Sequence, residues 1–389
     1  MSEHTILAER MKSIQPFHVM DILARARQLA SQGQSIIHME VGEPDFTTPT
    51  PIIEAGMQAL RDGHTKYTPA CGIPELRERI ADWYWQRFQV KVAPERVIVT
   101  PGASGALQLA LGVLVNPKDE ILLTDPGYPC NRHFVRLFEG KPISLPVTAK
   151  QNYQPSLEQI QQAWSAQTRA VLLASPANPT GTLLSLQLTQ QLYAYIAQQQ
   201  RTFIVDEIYQ GLTYGQEPHT ALSIADDIWI VNSFSKYFGM TGWRLGWLIA
   251  PEYALDSLNR LAQNLFLSPP TVAQYAALAA FEQPTLEITE ERRLEFAKRR
   301  DFLLPALQNL GFDIQSIPQG AFYIYADAAH FSEDSHRLSL NLLETAGVAF
   351  TPGIDFGDYL AKTHVRFAYT TNLPELEQAV ERLAKYLPR

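Results

Sequence analysis

Five short runs of branched aliphatic residues punctuate the middle of this chain: "RVIVT" (96–100), "DEILLTD" (119–125), "AVLLAS" (170–175), "TFIVDE" (202–207) and "IWIVNS" (228–233). Their apolar residues are consecutive rather than alternating, the pattern of strands covered on both faces. Between them lie longer stretches with helical spacing, such as "ASGALQLALGVLV" (103–115) and "SLQLTQQLYAYIAQQQ" (185–200). Strands separated by helices are joined by crossovers and run parallel, so this part of the chain reads as an α/β sheet flanked by helices. The same constraint places a binding site. In an open parallel sheet, ligands sit beyond the carboxyl ends of the strands.

The C-terminal part follows a different pattern. "LEITEERRLEFAKRRDFLLPALQNLG" (286–311) reads as a long charged amphipathic helix, followed by strands at 321–328 and 364–370 and a last helix at 373–387. This predicts a second, smaller α+β domain beginning near residue 286. The 389 residues are enough for two domains, and a composition 46% hydrophobic and 19% charged is that of a globular chain. A formal net charge of −8 disfavours nucleic acid and anionic membrane as partners. The charged start "MSEHTILAERMKSIQ" has no apolar core of a signal peptide, and no apolar run approaches the roughly 18–20 residues that cross a bilayer. A cytoplasmic location is expected. Cys71 and Cys130 form neither a metal spacing nor a disulfide framework and are expected to be small buried hydrophobes. The histidines show no pair at metal spacing, so no metal is expected.

Residues just past the strands carry the chemistry. After "RVIVT" comes "PGASGA", where Gly102, Ala103 and Ser104 open a helix whose N–H groups suit a phosphate. The next strands deliver Tyr128, Asn178, Asp206 with Tyr209, and finally Ser235 with Lys236. Lys236 lies in "NSFSKYFGMTGWRLGW" (232–247), too apolar for a solvated face and too glycine-rich for a good helix. Such a setting suits an amine that must lose its proton and attack a carbonyl. An anion cradle, an aromatic plate, an amide, a carboxylate, a phenol and a lysine together fit a phosphorylated aromatic aldehyde. Pyridoxal 5′-phosphate (PLP) matches that inventory. No P-loop or G-x-G-x-x-G fingerprint competes for the site.

The segments "VGEPDF", "KYTPACGIPELRERIA", "SPANPTG", "DEIYQGLTY", "SFSKYFGMTGWRLGW" and "PGIDFG…HVRFAYT" resemble, in order and over nearly the whole chain, the motifs of PLP-dependent class I/II aminotransferases of fold type I, the aspartate aminotransferase superfamily. The resemblance implies a large PLP-binding domain (46–285) with a mostly parallel seven-stranded sheet. It implies a small domain with an N-terminal arm, formed by 1–45 and 286–389. Lys236 would form the internal aldimine and then shuttle a proton in a ping-pong reaction. Asp206 would keep the ring nitrogen protonated, Tyr209 and Asn178 would bond the ring hydroxyl, and Tyr128 would stack on the ring. Gly102, Ala103, Ser104, Ser233, Ser235 and Arg244 would hold the phosphate. Tyr67 would reach the phosphate of a neighbouring subunit, which implies a homodimer. Arg366 would grip the substrate carboxylate, helped by the Gly42 backbone and Asn178.

Taken singly, each residue has an ordinary reading. Lysines are surface charges, Asp206 could cap a strand end, Tyr67 and Tyr128 could pack, and Arg366 could make a domain-interface ion pair. Their joint occurrence favours the site. Aspartate-preferring relatives often carry a lysine where Ser104 stands, which argues against a dedicated aspartate enzyme. "QNLFLSPPTVAQ" (263–274) is expected to line the mouth, with Phe266 and Leu267 favouring apolar or aromatic side chains. The expected partners are an amino acid and a 2-oxo acid such as 2-oxoglutarate or pyruvate. The alternative is a PLP-dependent carbon–sulfur β-lyase, whose members typically read "NPHNP" where this chain reads "SPANP". A ligand-sensing regulator would need an added DNA-binding segment, and a purely structural protein has no use for Lys236, Asp206 and Arg366 together.

Overall fold

The structure, a computed structural model, describes residues 7–387. Its strands are β1 (Ile37–Met39), β2 (Val97–Thr100), β3 (Glu120–Asp125), β4 (Lys141–Pro146), β5 (Thr168–Ala174), β6 (Thr202–Asp206), β7 (Trp229–Ser233), β8 (Gly246–Ile249), β9 (Tyr323–Asp327), β10 (Val348–Pro352) and β11 (His364–Ala368). Seven of them form one sheet in the order β2-β8-β7-β6-β5-β3-β4. All its pairings are parallel except the two made by β8. The α/β class and the seven-stranded, mostly parallel sheet are therefore as expected.

The five strands read from aliphatic runs are all present; β4 and β8 complete the sheet. β4 lies at the edge and contains Pro142 and Pro146, residues that an edge strand tolerates because no neighbour needs their missing N–H. β8 returns antiparallel to β7 with no α-helix between them, so a strand–helix alternation does not point to it. Every residue of β8 is buried. Gly246 at its start is needed for close approach: a Cβ there would lie 2.7 Å from the Ala103 nitrogen.

The other sheet has the order β1-β10-β11-β9, with β1 parallel to β10 and the remaining pairs antiparallel. Thus a strand from the N-terminal part joins three from the C-terminal part. The long helix spans Gln283–Leu310, starting three residues before the expected position because Pro284 fits a first turn. It stops at Gly311, whose φ of 107° lies in the left-handed region that glycine reaches without strain. Val97, Val99, Ile230, Val231, Trp229 and Trp247 are all at most 1% exposed, so the sheet is covered as the continuous runs require. Each such side chain contributes on the order of 1.5–3 kcal/mol by leaving water. Among the described residues, no helix is long and apolar enough to cross a membrane.

Candidate active site

The carboxyl ends of β2, β5, β6 and β7 meet around one cavity of about 250 Å³. The helix Gly102–Leu114 starts directly after β2 and turns its N-terminal N–H groups toward this space. Gly102 has φ of 72°, and a Cβ on it would sit 2.6 Å from an Arg244 terminal nitrogen. The missing side chain thus lets a guanidinium lie against the helix start. Arg244 is itself left-handed (φ 54°) and donates to the Thr241 carbonyl at 3.0 Å. Ser235 lines the cavity, and Ser233 holds it from behind. Ser233 Oγ accepts the Ser235 N–H at 3.1 Å, lies 2.9 Å from Ser235 Oγ, and lies 3.0 Å from the Leu245 carbonyl. These groups form a concave set of donors with a cation, the chemistry that binds phosphate.

Asp206 ends β6, and its neighbour β7 leads into the turn that carries Lys236. The Asp206 carboxylate is 4% exposed and accepts one hydrogen bond, from the Ile208 N–H at 3.1 Å. Burial pushes its carboxyl up to about 6. The Lys236 ammonium donates to the Gly42 carbonyl at 2.6 Å. Burial, with help from Arg366 and Arg244 and against the charge of Glu43, brings this amine down to about 8. A buried acid and a buried amine, each without an ion-pair partner, share one cavity.

Arg366, on β11, is 4% exposed and meets only neutral acceptors. It donates to Asn178 Oδ1 at 2.9 Å, to Thr351 Oγ1 at 3.1 Å and to the Glu40 carbonyl. Its Nε–H has no partner. The guanidinium lies 4.3 Å above the Tyr323 ring and 4.8 Å from the Phe356 ring centroid. A buried cation with a spare donor is prepared for a carboxylate. The Tyr323 hydroxyl in turn lies 2.8 Å from that of Tyr209. Gly42 makes this crowding possible, because a Cβ there would be 1.8 Å from the Tyr323 hydroxyl oxygen. Burial is the main cause that raises both phenols above their ordinary value, so both are neutral and able to donate.

Eleven residues expected from the sequence line this cavity: Gly42, Ala103, Ser104, Tyr128, Asn178, Asp206, Tyr209, Ser235, Lys236, Arg244 and Arg366. Gly102, Ser233 and Tyr67 do not. Gly102 lies under Arg244, Ser233 acts through Ser235, and Tyr67 is 81% exposed. The expectation for the mouth needs correction. Phe266 packs toward the helix Gly102–Leu114 and Leu267 is exposed; neither lines the cavity. Phe17, Val19 and Met20, at the start of the helix His18–Ser31, form the apolar wall instead. Cys71 and Cys130 are half-buried rather than buried. Sequence reasoning missed Tyr323 and Thr241 as well. "AFYIY" signals a strand, and only the tertiary fold brings its first tyrosine to Tyr209.

The residues fit PLP. The unpaired Asp206 carboxylate suits a cationic ring nitrogen, the Lys236 amine suits an aldehyde, and the cradle at Ala103, Ser104, Ser235 and Arg244 suits the phosphate.

Comparison with known proteins gives a consistent result. Residues 34–383 match the sequence model of the family described as aminotransferase class I and II. The (5-formylfuran-3-yl)methyl phosphate transaminase of Methanocaldococcus jannaschii is 35% identical over 98% of this chain and 100% of its own length. A valine–pyruvate aminotransferase of Mycobacterium tuberculosis is 34% identical over 96% of this chain and 97% of its own. Among solved structures, an aminotransferase from Mycobacterium tuberculosis superposes with a TM-score of 0.95 at 33% identity, covering 98% of this chain and 99% of that one.

Proposed function

The chain belongs to the class I and II aminotransferases and is a PLP-dependent transferase of amino groups; on that premise we propose how its own residues divide the work. The observation that carries the assignment is the pairing, in one cavity, of a cation-free buried Asp206 with the lowered amine of Lys236. When bound, the cofactor supplies an electrophilic carbonyl and a ring that withdraws electrons. Asp206 favours the protonated ring nitrogen, since a carboxylate within reach stabilises that charge. Lys236 would supply the amine for the cofactor's carbonyl, and its neutral form would serve as the base at the substrate Cα. Ala103, Ser104, Ser235 and Arg244 would hold the phosphate, with Gly102 and Ser233 shaping that cradle. Tyr209 and Asn178 would orient the ring hydroxyl, and Tyr128 would cover the ring face. Arg366, with Asn178 and the Gly42 backbone, fixes the substrate carboxylate and thereby the direction of the Cα–H bond.

The reaction moves the amino group of an amino acid to a 2-oxo acid in two half-reactions, as is general in the family. The chain is proposed to be a cytoplasmic homodimer in which Tyr67, largely exposed on one protomer, completes the neighbouring site. The domains are proposed as 46–285 and as 1–45 with 286–389; the helix Gln283–Leu310 crosses the second boundary. The relatives' names cover a formylfuran phosphate, valine with pyruvate, and aspartate with prephenate, so resemblance alone does not choose the donor.

The test is a spectral one. The purified holoenzyme is mixed with single amino acids and no oxo acid. An aminotransferase shows a lasting absorbance change, reversed in proportion to added 2-oxo acid. A carbon–sulfur lyase given a sulfur amino acid releases pyruvate and ammonia and returns to its starting spectrum, which would overturn the assignment.

A further inference from the structure

A second cavity, of about 420 Å³, adjoins the catalytic one, and Phe17 lines both. Its other walls come from the segment before the helix His18–Ser31, from the helix Pro129–Leu137, and from the turn after β10. Arg132, Arg136 and Lys362 bring three cationic side chains to it, and His18 and His133 stand beside them. Two carboxylates share the space, Asp355 and Asp358. Asp355 is engaged elsewhere, since its two oxygens accept the His18 and Val19 N–H groups, each at 2.7 Å. Among the described residues, none of the three cations makes an ion pair with a carboxylate. Arg136 donates to a neutral oxygen, the Ser13 carbonyl, at 2.8 Å.

The cations crowd one another. Burial and then Arg132 push the Arg136 guanidinium below its ordinary value, and burial, Arg136 and Arg132 do the same to His133. Three cations face two carboxylates, so the cleft keeps a net positive charge, and its two guanidinium forks and one ammonium suit a tetrahedral oxyanion that several donors can hold at once, whereas a carboxylate needs only one arginine fork. Arg132 also connects the cleft to the catalytic wall. It is one helical turn after Tyr128, on the same face of the helix, and with Tyr128 and Asn178 it borders a small third cavity. A substrate anchored at Arg366 and passing the apolar wall at Phe17 would end among these cations.

We propose that this cleft is a phosphate subsite, and that the amino-group partner it selects carries a phosphate monoester at the end remote from the reacting carbon. The inference rests on the aminotransferase reading of the adjoining cavity. Two measurements test it. In the first, inorganic phosphate is titrated calorimetrically into the holoenzyme, whose cofactor phosphate cradle is already filled, at constant ionic strength set with chloride. Phosphate is expected to bind, and Arg132→Gln and Arg136→Gln are each expected to weaken it about tenfold, as loss of one charge-assisted contact does. In the second, kcat/KM is compared for O-phospho-L-homoserine and L-homoserine. The phosphorylated donor is expected to lead by at least about tenfold, with the ratio collapsing in Arg132→Gln. The ratio serves as the readout because a general folding defect lowers both values together. Three results overturn the proposal: phosphate binding that persists in the double variant, glutarate binding more tightly than phosphate, or equal kcat/KM for the two donors. Loss of turnover with every amino acid would instead overturn the aminotransferase reading, and calorimetry would still decide whether the cleft takes the anion.

Discussion

Replacing Asp206 by Asn should stabilise the cofactor-free protein while disabling the enzyme. The Asp206 carboxyl is 4% exposed, has one hydrogen bond and is raised to about 6 from an ordinary 3.8. The folded state therefore holds this proton more tightly than the unfolded chain does. The ionisation penalty is absent below pH ~4, grows between about 4 and 6, and is complete above about 6. A rise of about two pKa units corresponds to about 3 kcal/mol, to order of magnitude. Asn has nearly the same shape, stays neutral, and can still accept the Ile208 N–H. With an unfolding entropy of about 2 cal/mol/K per residue, about 3 kcal/mol over 389 residues shifts Tm by about 4 °C. The assay is thermal unfolding of both apoproteins at pH 4 and pH 8. Asp206→Asn should gain about 4 °C at pH 8 and almost nothing at pH 4. With PLP bound, the order should reverse, because the cationic ring nitrogen loses its counter-charge. Equal Tm differences at the two pH values would refute the claim that a buried, unpaired charge is held ready here.

Other outcomes follow from the same geometry. Lys236→Ala should remove the borohydride-reducible attachment of PLP, checked by peptide mass mapping of the reduced protein. Trapping of apoprotein by a small aldehyde should accelerate as pH rises through about 8, where the buried Lys236 amine becomes neutral, rather than near its ordinary 10.5; mass spectrometry of adducts against pH reads this directly. Arg366→Leu should weaken binding of the substrate carboxylate by about 2–5 kcal/mol and leave the cofactor spectrum in place, measured by titration with an unreactive monocarboxylate. Gly42→Ala would place a Cβ 1.8 Å from the Tyr323 hydroxyl oxygen. That crowding should cost about 1–3 kcal/mol of stability, read from denaturant midpoints.

The sheet was legible wherever burial on both faces leaves a continuous aliphatic run, as in β2, β3, β5, β6 and β7. It was not legible in β4, whose edge position lets exposed and proline residues in, nor in β8, which follows its neighbour without an α-helix. At the site, Asp206, Asn178 and Lys236 could be read because each stands just past a strand, where chemistry gathers. Tyr323 could not, because it opens β9 of the other sheet and meets Tyr209 across a sequence separation of 114 residues. The mouth was misassigned for a related reason. Phe266 and Leu267 are apolar, but apolarity does not tell a packing residue from a lining one, and the cavity takes its wall from Phe17, Val19 and Met20.

The contact between the hydroxyls of Tyr209 and Tyr323 stitches the two sheets together at the catalytic centre. One phenol belongs to the seven-stranded side, and the other lies under the guanidinium of Arg366. The Tyr323 ring therefore stands between that arginine on its face and the Tyr209 hydroxyl at its edge. The grip on a carboxylate and the phenol beside the cofactor's place thus share one ring as a common wall.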